Sequence, residues 1–98
     1  MGKLVRDKIP QIIKKSGQFP ITHTARGDEY RKKLVEKLQE EVLEYVESGR
    51  VEELADILEV MYALGDFQKV SMEKIEQIRI EKAKKRGTFT KRIILDWC

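Results

Sequence analysis

The stretch LQEEVLEYVESGRVEELAD, residues Leu38 to Asp56, decides the fold. It carries two acidic pairs at one spacing, Glu41 with Glu44 and Glu53 with Asp56, on either side of Ser48-Gly49-Arg50. Three residues fall just short of a helical turn, so each pair projects to one side of a helix. A glycine just past a periodic run is the usual helix stop, and so short a connection makes the two helices antiparallel neighbours. The spacing therefore predicts a helical hairpin with four carboxylates facing one another across it.

Phase on the helical wheel gives those carboxylates their meaning. At about 100° per residue, Glu41 falls in the row Leu34, Leu38, Glu41, Tyr45, with Glu44 at the edge of that row. On the second helix Glu53 continues the row Ile57, Val60, Leu64, and Asp56 lines up with Val60 and Phe67, whereas Glu52 and Glu59 point to solvent. Four acids on or beside apolar stripes repel one another and lose hydration, so a cation is expected among them. An oxygen-only set with no Cys or His nearby selects a hard ion, Mg²⁺ or alternatively Mn²⁺, over Zn²⁺. The competing reading is a solvated acidic face with surface ion pairs. Two pairs on adjoining helices, both phased onto the apolar side, favour the metal.

At 98 residues the chain is read as a single domain, 1–98, with room for one modest core. Its 41% hydrophobic and 38% charged residues, with few Gly and Pro, indicate a helix-rich, water-compatible protein. A net charge of +3 is mild: it suits the handling of phosphate esters and gives little support to nucleic acid as a partner. The single cysteine, Cys98, excludes an intrachain disulfide, and with one histidine, His23, far away in a loop-like stretch no Cys/His catalytic pair is evident. No apolar run approaches about 18 residues and no signal-peptide pattern opens the sequence, so a cytoplasmic protein without a membrane partner is expected.

In chain order, Lys3-Leu4-Val5-Arg6-Asp7-Lys8-Ile9 is a basic arm with apolar anchors, and Pro10 suits the first turn of a short helix through Lys15 that Gly17 ends. Gln18 to Gly27, with Pro20 and no periodicity, reads as a loop. Asp28 is the expected N-cap of a helix from Tyr30 to Glu47. Val51 to Phe67 is apolar over a wider arc than one neighbour covers, through Leu54, Ile57, Leu58, Val60, Met61, Tyr62 and Leu64, which calls for a central helix covered by another subunit. Ser71 is the expected N-cap of a third long helix whose Met72, Ile75 and Ile78 face inward, and whose row turns basic at Lys82 and Lys85 beside Arg86 before Gly87 stops it. Those cations either complement the helix dipole or hold phosphate oxygens. The tail from Thr88 to Trp97 is irregular, and its Ile93-Ile94-Leu95 run is expected to pack back on the bundle.

Three stretches together resemble a known family. Lys3-Leu-Val-Arg-Asp-Lys-Ile-Pro10, Glu40-Glu41-x-x-Glu44 with Glu53-Leu-Ala-Asp56, and Lys82-x-x-Lys85-Arg86-Gly87-x-Phe89 are similar to the MazG-like, phosphoribosyl-ATP-pyrophosphohydrolase-like all-α nucleotide pyrophosphohydrolases. Two positions depart from that pattern: Thr88 stands where a second Gly is more usual, and Ile80 where many MazG domains have Asn. The resemblance implies an all-helical protein, assembled as a homodimer or homotetramer, that hydrolyses nucleoside triphosphates to monophosphate and pyrophosphate with Mg²⁺. It implies metal ligands at Glu41, Glu44, Glu53 and Asp56, with Glu40 the adjoining acid. The mechanism expected is attack of water on the α-phosphorus, with Glu41 or Glu44 taking the proton and Lys3, Arg6, Lys82, Lys85 and Arg86 steering phosphate oxygens. The alternative is a non-enzymatic helical module that binds nucleic acid or a regulatory partner through its basic ends, recognised by steeply salt-dependent binding without nucleotide turnover.

Overall fold

A computed structural model describes residues 2–98. Proline fixes φ and lacks an N–H, so it fits the start of a helix, and Pro10 stands in the first turn of α1, Ile9–Lys15. An irregular segment, residues 18–26, leads to α2, Gly27–Ser48. The cap position falls on Arg26, whose backbone is extended (φ −143°, ψ 154°), so the helix starts three residues before the expected Tyr30. Asp28 is therefore not the N-cap. It lies with Glu29 inside the first turn, where both acids complement the positive end of the helix dipole.

The turn at Gly49 is the one the sequence requires. Its φ of 66° is left-handed, and its N–H donates to the Tyr45 carbonyl at 2.7 Å, closing α2. Arg50 is extended and α3, Val51–Phe67, begins at once. The two helices pack along each other, and Tyr30 near the start of α2 meets Phe67 at the end of α3 edge to face at 5.6 Å, pinning the open end of the hairpin.

The chain then turns through Gln68–Val70, with the Val70 N–H donating to the Gly65 carbonyl at 2.9 Å, into α4, Met72–Arg86. Ser71 caps it as expected, its hydroxyl accepting from the Lys74 N–H at 3.1 Å. Gly65 is buried, and a Cβ there would stand 3.1 Å from Ile75 Cδ1 and 3.2 Å from the Val70 carbonyl oxygen, so the position has little room for a side chain. This close approach is where α4 meets α3. Contact between α4 and α2 is absent among the described residues.

The chain is thus all-α, with four helices and no strand among the described residues. Its interior is thin: Leu34 (1% exposed) and Val60 (7%) are the only buried hydrophobic side chains among them. Two sequence expectations fail for this reason. Ile78 is exposed, because α4 touches α3 only near its own start and then diverges. Ile93, Ile94 and Leu95 are about three-quarters exposed rather than packed back, since the tail leaves from the far end of that diverging helix. Leu54, Leu58, Met61 and Tyr62 of α3 are likewise uncovered. No helix is long and apolar enough to cross a membrane among the described residues.

Candidate metal centre

The hairpin brings together the four acids that its spacing singled out. Glu41 and Glu44 come from α2, Glu53 and Asp56 from α3, and one carboxylate oxygen from each lies within 4.8 Å of the other three. Antiparallel packing through Gly49 makes this possible, since it sets the last turns of one helix beside the first turns of the next.

Glu41 is the residue that gives the cluster its chemistry. It is only 7% exposed, the one buried charged side chain among the described residues. Its Oε1 lies 3.3 Å from Lys37 Nζ, and its Oε2 is buried with no hydrogen-bond partner. Burial pushes its carboxyl above the usual range, helped by the nearby charge of Glu44 and opposed by Lys37. A buried, unpartnered carboxylate oxygen costs about 1–3 kcal/mol or more, a cost that either protonation or a bound cation relieves.

The remaining acids are partly paired. Asp56 Oδ1 accepts from Arg6 Nη2 at 2.8 Å, and Glu53 Oε1 accepts from the Ser48 hydroxyl at 3.4 Å. Glu44 is exposed. Next to the cluster, Glu40 accepts from Lys37 at 2.9 Å and from Lys3 at 3.3 Å, and those bonds hold its carboxyl below the usual range. Burial works against the charge on Lys37, but its bonds to Glu40 and Glu41 outweigh this and raise its pKa.

The donor set fits a hard divalent ion. Opposite oxygens in an Mg²⁺ shell stand about 4.2 Å apart and those around a larger divalent ion up to about 5 Å, and the four carboxylate oxygens, all within 4.8 Å of one another, are close enough to share one such ion. All donors are oxygens, and one of them, Glu41 Oε2, is buried without a partner. His23 stays outside the cluster, exposed and 2.8 Å from Glu29.

The expected phosphate-binding residues divide into two groups. Lys3 and Arg6 of the opening arm reach the hairpin, on Glu40 and Asp56. Lys82, Lys85 and Arg86 are exposed on the last turns of α4 and make no ion pair among the described residues. Sequence reasoning missed Lys37, the half-buried cation that bridges Glu40 and Glu41. Its signal was present, because i,i+3 and i,i+4 neighbours share a helix face.

No family model matches the chain, and no solved structure does. One stretch is similar to an uncharacterized protein of Mycolicibacterium smegmatis (strain ATCC 700084 / mc(2)155), at 50% identity over 44 residues. The match spans 45% of this chain and 45% of that relative, so the chain covers under half the relative's length.

Proposed function

We propose that this chain is an Mg²⁺-dependent nucleotide pyrophosphohydrolase of the MazG-like kind, with Mn²⁺ as a substitute ion. It cleaves a nucleoside triphosphate, or a related phosphoribosyl nucleotide, to monophosphate and pyrophosphate in the cytoplasm. The observation that carries this reading is Glu41 Oε2, buried and unpartnered within a cluster of four carboxylates. The resemblance of the opening arm, the two acidic pairs and the Lys82–Phe89 stretch supplies the substrate class.

Glu41, Glu44, Glu53 and Asp56 hold the ion, which when bound neutralises charge on the phosphate chain. The reaction itself needs a base and a phosphate clamp. Glu41 or Glu44 takes a proton from water, the water oxygen bonds to the α-phosphorus, and the bond from that phosphorus to the bridging oxygen breaks, releasing pyrophosphate. Lys3 and Arg6 stand beside the acids as donors to phosphate oxygens, and guanidinium suits this by offering paired N–H groups. Lys82, Lys85 and Arg86 join them from α4, in the same chain or a second copy.

A homodimer or homotetramer belongs to the same proposal. Its support is the extent of uncovered apolar surface on α3 and the tail, in a chain with two buried hydrophobic side chains among its described residues.

The test is pyrophosphate release from a panel of canonical and modified nucleoside triphosphates, with and without Mg²⁺. Release that needs Mg²⁺ and disappears in the double variant Glu41→Gln, Asp56→Asn supports the reading. Parent-level release from that double variant overturns the assignment of these acids.

A further inference from the structure

We propose that Arg6 makes the four-acid site select a divalent ion that arrives with a phosphate group over the bare ion. This rests on the metal-site reading above and adds a discriminating role for one residue.

The opening arm is tied down by the carboxylates it lies beside. Arg6 Nη2 donates to Asp56 Oδ1 at 2.8 Å, and Asp56 is one of the four clustered acids. Lys3 Nζ donates to Glu40 at 3.3 Å, and Lys33 Nζ donates to the Gly2 carbonyl at 2.7 Å. Residues 2–6 have no helical or strand structure of their own, so these side-chain bonds and the half-buried Leu4 and Val5 position the arm.

Arg6 therefore neutralises Asp56 in the absence of an ion. A divalent ion bound through either oxygen of the same carboxylate stands beside the guanidinium, so the two positive charges repel and the bare ion is held less tightly with Arg6 in place. A bare ion offers Arg6 nothing to offset this repulsion. An ion carrying a phosphate group offers it an anionic acceptor of matching geometry, so the repulsion is offset. Coupling of this kind is reciprocal: whatever phosphate adds to ion binding, the ion adds to phosphate binding. Both partners are partly solvated, with side chains 55% and 37% exposed, so the effect is a few-fold one.

The experiment is calorimetric titration of Mn²⁺ into the full chain and into Arg6→Gln, each with and without inorganic phosphate. Arg6 lies outside the helices and is exposed, so the substitution removes no core contact. Without phosphate, R6Q should bind Mn²⁺ about two- to five-fold more tightly than the parent, and phosphate should improve the parent's affinity by a larger factor than that of R6Q. If R6Q binds Mn²⁺ no more tightly than a parent that does bind it, the competition is wrong and the metal site stands. A parent that takes up no Mn²⁺ removes both.

Discussion

Glu41 sets the behaviour of the molecule at the residue scale. A carboxylate oxygen without a partner, in a side chain this buried, destabilises the metal-free fold, and any ion that binds there returns that free energy. Mg²⁺ at about 100 times its Kd should stabilise the parent by about 2.7 kcal/mol, raising Tm by roughly 10 °C or more. In Glu41→Gln that gain should be absent in a thermal melt, and at neutral pH the metal-free Tm should lie above the parent's, because the penalty on the buried charge is gone.

The pH dependence of the metal-free chain separates Glu41 from its neighbour. Because burial raises the Glu41 pKa, its penalty is fully present above the raised value, fades as pH falls through it, and is gone below the ordinary value of 4.5. Glu40 behaves oppositely: Lys37 and Lys3 lower its pKa, so its contribution is present above 4.5 and lost as pH falls through the lowered value. Acidification from neutrality toward 4.5 should thus raise the parent's stability relative to Glu41→Gln, and acidification below it should remove the Glu40 contribution from both. Melts of both chains across that range check the sign.

At the scale of elements, the hairpin depends on one left-handed residue. Gly49 at φ 66° closes α2 and lets α3 start two residues later, which sets Glu41 and Glu44 against Glu53 and Asp56. A side chain in that conformation costs about 1–2 kcal/mol. Gly49→Ala should lower Tm by about 4–8 °C for each kcal/mol lost, while Mg²⁺ still raises Tm in the variant. Loss of the Mg²⁺ response along with the stability would mean that the turn sets the cluster's geometry more tightly than the helix packing does.

Taken whole, the molecule is too open for its mass. Its surface is 9210 Å² and its radius of gyration 17.5 Å. A compact monomer of 11.5 kDa exposes about 5,800 Å² and a compact chain of this length has a radius near about 13 Å. The difference, about 3,400 Å² per chain or about 6,800 Å² for two chains, is more than the roughly 2,000–5,000 Å² total that obligate dimers commonly bury, so one dimer interface need not cover all of it. Much of it lies on uncovered apolar side chains, including Leu54, Leu58, Met61 and Tyr62 of α3 and Phe89, Ile93, Ile94, Leu95 and Trp97 of the tail. The proposed homo-oligomer predicts a mass of two or four chains by size exclusion with light scattering, and a Tm that climbs with protein concentration. A monodisperse 11.5 kDa species with a concentration-independent Tm would sink it.

What the sequence determined is local. Periodicity, the Gly49 stop, the Ser71 cap and the Gly87 stop depend on interactions within a few residues, and they placed the long helices to within three residues at each end. The pairing of Glu41 and Glu44 with Glu53 and Asp56 was legible for the same reason, because a short turn leaves antiparallel packing as the only arrangement. Tertiary structure decided everything that depends on distance through space. Ile78 and the Ile93–Leu95 run stayed exposed where an inward face was expected, and Arg6 found Asp56 fifty positions away. Hydrophobic periodicity says that a face must be covered, but which surface covers it depends on how helices diverge and on charge contacts between distant segments.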